Sequence, residues 1–306
     1  MQSVELHVLD AFTRTLFGGN VAAIVSQAGD LGETEMQIVA REVAASVTGF
    51  LVPAGEADFG VRFFTPMQEI DMCGHGLIAL CRRLVDMGKV ELQAAATVEK
   101  TIWTKAGVVP VIISPEGDFP LVMMGQAPPV FRSGDLDRDA LYQALGLRAE
   151  QVAPDLPLEF ASAALEHLFV PVRDRAALAG LQPDFSLLTQ ISNEIGVVSI
   201  AVLTLDTADP AATVRCRDFC PAAGIPEAAG SGTTNSALLC YLVRNGALSW
   251  PQGSVLRTQA EQGCEMKRPA RIYCQARLQD GEIRDLYVGG TAIVSIEGRI
   301  NLPSKE

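Results

Sequence analysis

One pattern occurs twice in this chain, and it governs what the chain can fold into. Residues 61–66 read VRFFTP; seven residues past that proline stands Cys73, followed by Gly74-His75-Gly76 and the apolar run LIAL. Residues 216–221 read CRDFCP; eight residues past that proline stands Ala229, followed by Gly230-Ser231-Gly232 and TTNSALLCYL. Agreement in order, spacing and surrounding secondary structure marks a duplicated α/β unit. A length of 306 residues accommodates one large domain or two of ordinary size.

The first third is dominated by short strand-like runs: VELHVLDAF, VAAIVS, GFLVPA, FGVRFFT, ATVEKTIWT and GVVPVIIS. They are rich in Val, Ile, Phe and Thr and end at Gly, Pro or Asp. Helical spacing predicts a helix over residues 33–45, with Met36, Val39 and Val43 on one face. A second is predicted over 75–88, burying Leu77, Ile78, Leu80, Cys81 and Leu84 and closed by Gly88 as a C-cap. The Pro- and Gly-rich stretch 114–135 is read as the crossing into a second domain. Beyond it the style repeats, with the strands HLFVPV and VVSIAVLTL, a Gly-rich turn, the helix TTNSALLCYLVRNG and strand-like runs at 254–259, 270–277 and 284–296.

Composition narrows the function classes. The net charge is −12 and no basic cluster is present, which argues against a nucleic-acid partner. No apolar run is long enough for a membrane span, and the N-terminus lacks the pattern of a signal peptide. Seven cysteines in mostly apolar contexts suggest free thiols in a reducing, cytoplasmic setting. Cys216 and Cys220 have no matching pair and no nearby histidine, so no metal site is expected. His7 and His167 lie inside strand patterns and read as structural.

The chemistry is expected at the two Gly-rich turns. The first amides of a helix lack partners and its dipole makes that end positive, so an anion can sit on Gly74-His75-Gly76 or on Gly230-Ser231-Gly232. The same field is expected to lower the Cys73 thiol towards neutrality and make it a general base for a carbon acid. Proton abstraction α to a carboxylate follows as the natural reaction.

These residues resemble the phenazine-biosynthesis PhzF-like proteins. The resemblance rests on LDAFTRTLFGGNVAAIV (9–25), VRFFTPMQEIDMCGHG (61–76), EHLFVPV, GIPEAAGSG, EQGCEMKRPARI (261–272) and LYVGGTAIVSIEGRI (286–300), in family order over nearly the whole chain. It implies the diaminopimelate-epimerase fold: two similar α/β (α+β) domains, each a mixed sheet wrapped around a central helix, with a cofactor-independent site between them. The expected domains are residues 1–128 with a returning strand at about 286–306, and residues 129–285. Homodimerisation is expected by the same analogy.

The catalytic set that the resemblance implies departs from the family at two places. Val47 stands where PhzF-type isomerases carry an acid/base glutamate. MCGHG is similar to the first cysteine motif of proline racemases, whose second cysteine would fall at Ala229. A two-thiol racemase and a standard dihydro-hydroxyanthranilate isomerase are therefore both disfavoured. What remains is an isomerase acting at the α-carbon of a small carboxylate (an amino, imino or hydroxy acid) with Cys73 as single acid/base. The alternatives are a one-base dehydratase similar to 3-hydroxyproline dehydratases, a non-catalytic binding relic and a redox role for Cys73. Glu69 and Glu227 are the carboxylates expected to assist. Gly74, His75, Gly76, Gly230, Ser231, Gly232, Thr233 and Asn20 are expected to bind substrate, with Ser231 or Thr233 donating a hydrogen bond. Asp10 belongs to the same opening block as Asn20. Gly289 and Gly290 are expected to permit close backbone approach or to form a bulge.

Overall fold

A computed structural model describes residues 3–93, 96–249, 253–279 and 282–302. The outermost residues assigned above to the first domain, 1–2 and 303–306, lie outside the described residues. The chain divides into two compact units, Met1–Gly125 with Gly289–Glu306, and Gln126–Val288.

The first unit contains β1 (Ser3–Ala11), β2 (Asn20–Val25), α1 (Glu33–Val43), β3 (Thr48–Val52), β4 (Phe59–Phe64), β5 (Glu69–Ile70), α2 (Gly74–Asp86), β6 (Val98–Thr104), β7 (Gly107–Glu116) and β8 (Phe119–Gln126). The closing strand of the chain, Ala292–Asn301, lies antiparallel along β1, from Ser3 opposite Asn301 to Ala11 opposite Ala292. From β1 the ladder runs antiparallel to β2, parallel to β3 and antiparallel to β4. β4 then pairs antiparallel with the short β5 and parallel with β6, and β6, β7 and β8 form a meander.

Side chains alternate across this sheet, so neighbours on β4 serve different helices. Phe64 joins the cluster under α1 with Met36, Val39, Ala40 and Phe50. Phe63 faces α2, where a Cβ on Gly76 would come within 2.6 Å of its ring. Helix α2 packs against β1, β2, β3 and the closing strand. It buries Leu77, Ile78, Ala79, Leu80, Cys81 and Leu84, so its first turns are enclosed on every side while Arg82, Arg83 and Asp86 lie outside the buried set. Each fully buried Leu or Ile contributes about 1.5–3 kcal/mol. The helix ends where Gly88 takes a left-handed φ of 68° and Lys89 donates back to the Leu84 carbonyl.

The second unit contains β9 (Val130–Arg132), α3 (Arg138–Leu145), β10 (Glu159–Ser162), β11 (Glu166–Pro171), α4 (Arg175–Ala179), α5 (Phe185–Ile195), β12 (Ser199–Thr204), β13 (Val214–Cys220), β14 (Ile225–Ala228), α6 (Gly232–Arg244), β15 (Val255–Gln262), β16 (Ala270–Gln279) and β17 (Glu282–Gly290). Its ladder repeats the first. β10 and β11 are antiparallel, β11 and β12 parallel, β12 and β13 antiparallel, and β13 pairs with β14 antiparallel and β15 parallel. Phe219 points into the cluster formed with α3, α4 and α5, while its neighbour Asp218 faces α6. Helix α6 has an unbroken buried run from Thr234 to Leu242. It ends as α2 does, at a left-handed glycine, Gly246, with Ala247 donating to the Leu242 carbonyl.

The mixed α/β fold with a buried helix in each half is the one expected. The structure adds α3, α4 and α5, each started by an aspartate whose carboxylate accepts an amide of the first turn. The expected run 284–296 is two strands, broken at Thr291. Gly289 is a close approach, since a Cβ there would lie 1.8 Å from the Val122 carbonyl oxygen.

Candidate active site

Cys73 is the N-cap of α2, in extended conformation, and its side chain makes no capping bond to the helix. Its sulfur lies 3.2 Å from Nδ1 of His75. On the other side of that ring, Nε2 is 3.1 Å from the Ser46 hydroxyl. Ser46 in turn donates to the Val21 carbonyl. The thiol, the imidazole and the hydroxyl thus form one chain that crosses from the buried start of α2 to the exposed turn before β3.

Burial overrides the helix terminus here. The amides of His75 and Gly76 favour the thiolate, yet desolvation is the larger effect and pushes Cys73 up to about 12. The expectation of a thiol lowered towards neutrality is therefore corrected: at rest Cys73 is a neutral S–H. Desolvation also pushes His75 down to about 4, against the opposing pull of the Val21 carbonyl. The amides of His75 and Gly76, assigned above to a substrate carboxylate, act on the Cys73 sulfur without a capping bond to it. Gly76 owes its identity to the Phe63 ring beneath it.

Glu69 and Glu227 are the same residue of the repeat. Arg62 grips Glu69 through Nε at 2.7 Å and Nη2 at 2.9 Å. Arg217 grips Glu227 through Nε at 3.0 Å and Nη2 at 2.8 Å. Lys105 adds a third bond to Glu69, at 3.0 Å. The Arg62 contact holds the Glu69 carboxyl below its ordinary range. Both carboxylates are bidentate partners of arginine on the neighbouring strand, so each would have to leave an ion pair to assist in moving protons.

These pairs also reset the correspondence between the two turns. Phe63 pairs with Ile70, and Asp218 pairs with Ala228. Cys73 and Ser231 each stand three residues after that partner, four after the arginine-bound glutamate, and each is the N-cap of a 13-residue helix. Ser231, not Ala229, is the counterpart of Cys73. The sequence reading slipped because the turn Pro221–Ala223 adds residues only in the second copy.

The second N-cap is wired differently. Ser231 Oγ accepts the Thr234 amide and lies 2.8 Å from the Thr234 hydroxyl and 3.2 Å from that of Thr233. Thr234 donates to Asp218 at 2.8 Å, and Ser199 donates to the other oxygen of that carboxylate at 2.6 Å. Asp218 is 0% exposed. Gln262 accepts from Ser231 N and Asn235 Nδ2 and donates to the Ala228 carbonyl, so it ties Gly230-Ser231-Gly232 in place.

Asn20 opens β2 opposite Ala11, next to Val21. Asp10 is buried and accepts the amide of Phe17, whose φ of 64° is left-handed, so it anchors the β1–β2 loop. Val47 is a core side chain, 1% exposed, and carries no proton. His167 is buried and stacked on Phe169, with no hydrogen-bond partner for either ring nitrogen among the described residues. Sequence reasoning missed Ser46, Thr234, Ser199 and Asp218. One signal was available: the aspartate in CRDFCP stands where VRFFTP has an inward-facing phenylalanine.

Comparison with known proteins places the fold. A family model described as phenazine biosynthesis-like protein, PhzC-PhzF, matches residues 9–298. The chain belongs to this phenazine biosynthesis-like family. An uncharacterized isomerase of Deinococcus radiodurans is 33% identical over 94% of this chain and 92% of its own length. The uncharacterized isomerase YddE of Escherichia coli is 30% identical over 95% of this chain and 96% of its own. The trans-2,3-dihydro-3-hydroxyanthranilate isomerase of Pseudomonas aeruginosa is 28% identical over 96% and 98%. The solved structure of a PhzF-family protein from Bacillus anthracis superimposes with a TM-score of 0.90 at 27% identity, covering 98% of this chain and all of that one. A hydroxyproline epimerase from Agrobacterium vitis shares the fold alone, with a TM-score of 0.60 at 15% identity over 97% and 92% of the two chains. By this membership the chain is an isomerase of the phenazine biosynthesis-like family. No helix among the described residues is long and apolar enough to cross a membrane.

Proposed function

We propose that this isomerase moves a proton at the α-carbon of a small carboxylate, an amino, imino or hydroxy acid, and that Cys73 takes and returns that proton. The observation that supports this reading most is the thiol at the N-cap of a buried helix, with a base at 3.2 Å and two helix amides that favour its thiolate. The sulfur, once deprotonated, is stabilised by those amides and removes a proton from carbon. The α-proton is acidified by the adjacent carboxylate's carbonyl character and by any nitrogen on the same carbon. A single group that removes and returns the proton from one side gives a suprafacial shift, the outcome expected where the second N-cap carries a hydroxyl in place of a thiol. The P. aeruginosa relative is named for an amino-substituted ring carboxylate, which shares its carboxylate and amino groups with the class proposed here but carries its removable ring protons beyond the α-carbon.

The test is solvent exchange. The protein is incubated in D2O with trans-2,3-dihydro-3-hydroxyanthranilate, with both enantiomers of proline and with hydroxyprolines, and deuterium at carbon is followed by NMR. Incorporation that disappears in Cys73→Ser supports the assignment. Full exchange in Cys73→Ser removes Cys73 from the role of base, and absence of exchange with every member of the panel removes this substrate class.

A further inference from the structure

We propose that His75 receives the thiol proton of Cys73 and that Ser46 holds His75 in the tautomer that makes this possible. The proposal rests on the assignment of Cys73 as the acid/base. It makes His75 and Ser46 positioning residues for the thiol and removes His75 from the set of direct substrate ligands.

The argument follows the direction of each hydrogen bond. A backbone carbonyl only accepts, so the hydroxyl hydrogen of Ser46 is directed at Val21. The Ser46 oxygen therefore meets Nε2 of His75, 3.1 Å away, as an acceptor. Nε2 must carry the ring hydrogen. A neutral imidazole has one N–H, so Nδ1 is bare. That bare nitrogen is the atom 3.2 Å from the Cys73 sulfur, and the thiol hydrogen points at it. The Sγ to Nε2 distance, 3.8 Å, is the longer of the two. The tautomer of a catalytic imidazole is set in this way by the partner of its other nitrogen.

The proton balance is simple. As the sulfur takes a proton from substrate carbon, the Cα–H bond breaks and a new S–H bond forms. The original thiol proton passes to Nδ1, and His75 becomes an imidazolium with its Nε2–H on Ser46. Return of a proton from sulfur to carbon, with Nδ1 giving its proton back to sulfur, restores the neutral pair. No oxidant, metal or second substrate takes part in these transfers.

The surroundings agree with a neutral resting pair. Burial disfavours thiolate and imidazolium alike, and among the described residues no charged side chain figures among the influences on either group. The charged pair then forms only while a substrate proton is in transit. Ser46 is solvent-exposed, so the chain links a buried thiol to the surface.

The experiment reads the imidazole and the thiol separately, without a substrate. Nitrogen-15 NMR of the full-length protein at neutral pH reports the tautomer of His75, and iodoacetamide labelling read by peptide mass spectrometry reports the reactivity of Cys73. The expected results are the Nε2–H tautomer in the wild type, loss of that single-tautomer pattern in Ser46→Ala and its restoration in Ser46→Thr. Labelling of Cys73 is expected to slow about tenfold in His75→Asn and several-fold in Ser46→Ala, because a nucleophile loses its adjacent base. An Nδ1–H tautomer in the wild type, or labelling unmoved by both variants, overturns the proposal. Should His75→Asn fail to fold, the exposed Ser46 variants decide alone. Expected tautomer and labelling results alongside failure of the D2O panel would count against the proposed reaction and not against this hydrogen-bond chain.

Discussion

Thr234 donates its hydroxyl to Asp218 across 2.8 Å, at the place where the other half of the molecule packs Phe63 against the bare backbone of Gly76. Both pairs join the first turn of a buried helix to the strand beneath it. One half solved the contact with a ring and a glycine, the other with a carboxylate and a hydroxyl. The two solutions are not interchangeable piece by piece, because a buried carboxylate without donors costs far more than a buried ring.

Thr234→Val is therefore expected to destabilise the protein by about 1–3 kcal/mol, the cost of leaving a buried acceptor short of a donor. Asp218→Phe alone should do worse, by steric conflict with Thr234. The double variant Asp218→Phe/Thr234→Gly recreates the pair of the first unit and should recover part of the loss, with a coupling of about 1–3 kcal/mol. Urea unfolding midpoints of the wild type, Asp218→Phe, Thr234→Gly and the double variant close the cycle, and strict additivity would contradict it.

Gly76→Ala places a methyl group against the Phe63 ring. Overpacking of this kind costs about 1–3 kcal/mol. Phe63→Leu should relieve the clash and render Gly76→Ala less damaging in that background. Thermal unfolding of both backgrounds provides the comparison.

The Arg62–Glu69 pair sets an acid limb of stability. The Glu69 carboxyl is held below its ordinary value of 4.5 in the folded protein, mainly by Arg62. A carboxyl lowered on folding adds stability above its unfolded value, and that contribution is lost as pH falls through the folded one. Glu69→Gln should thus be less stable than the wild type at neutral pH, with a gap that narrows below about 4.5. Unfolding titrations across that range measure the gap. Deuterium exchange per folded molecule should survive the substitution, since Glu69 is assigned to the ion pair and not to the proton path.

His75 acts in a different window. Its folded value lies near 4 and its ordinary one near 6.5, so between these two the unfolded chain binds more protons and stability falls as the solution is acidified. His75→Asn should flatten this stretch of the stability profile. Chemical unfolding at closely spaced pH values from about 7 to 4 would show the flattening, and an unchanged slope would mean that the ring is not held neutral by burial.

Much of this was readable from residues alone, and the failures have physical causes. The duplicated strand–turn–helix pattern announced the fold because burial periodicity and a terminating glycine are local signals. Helices α3 to α5 escaped notice although their aspartate caps and their buried stripes, Leu141, Ala144 and Leu145 on α3 and Leu188 and Ile191 on α5, are local signals. The match of Cys73 to Ala229 failed through Pro221–Ala223, a single turn that shifts the register without changing the flanking motifs. The carboxylates Glu69 and Glu227 looked available because the arginines that hold them stand seven and ten residues earlier, on a neighbouring strand that sequence spacing does not bring together. The thiol's resting state depended on burial, a property of the folded chain as a whole.

The closing strand adds a consequence for how the molecule is made. Ser3 lies opposite Asn301, so the strand that flanks β1 and packs on α2 is synthesised only after the whole of the second unit. Until it arrives, one edge of β1 lacks its partner and part of the α2 surface lacks its cover. Contacts so distant in sequence are slow to form. The half that carries Cys73 is begun before the second unit and finished after it. Nascent chains lacking residues 292–301 should therefore hold Cys73 far more open to thiol reagents than the completed protein does, while the second half, whose strands are contiguous, can already be in its final form.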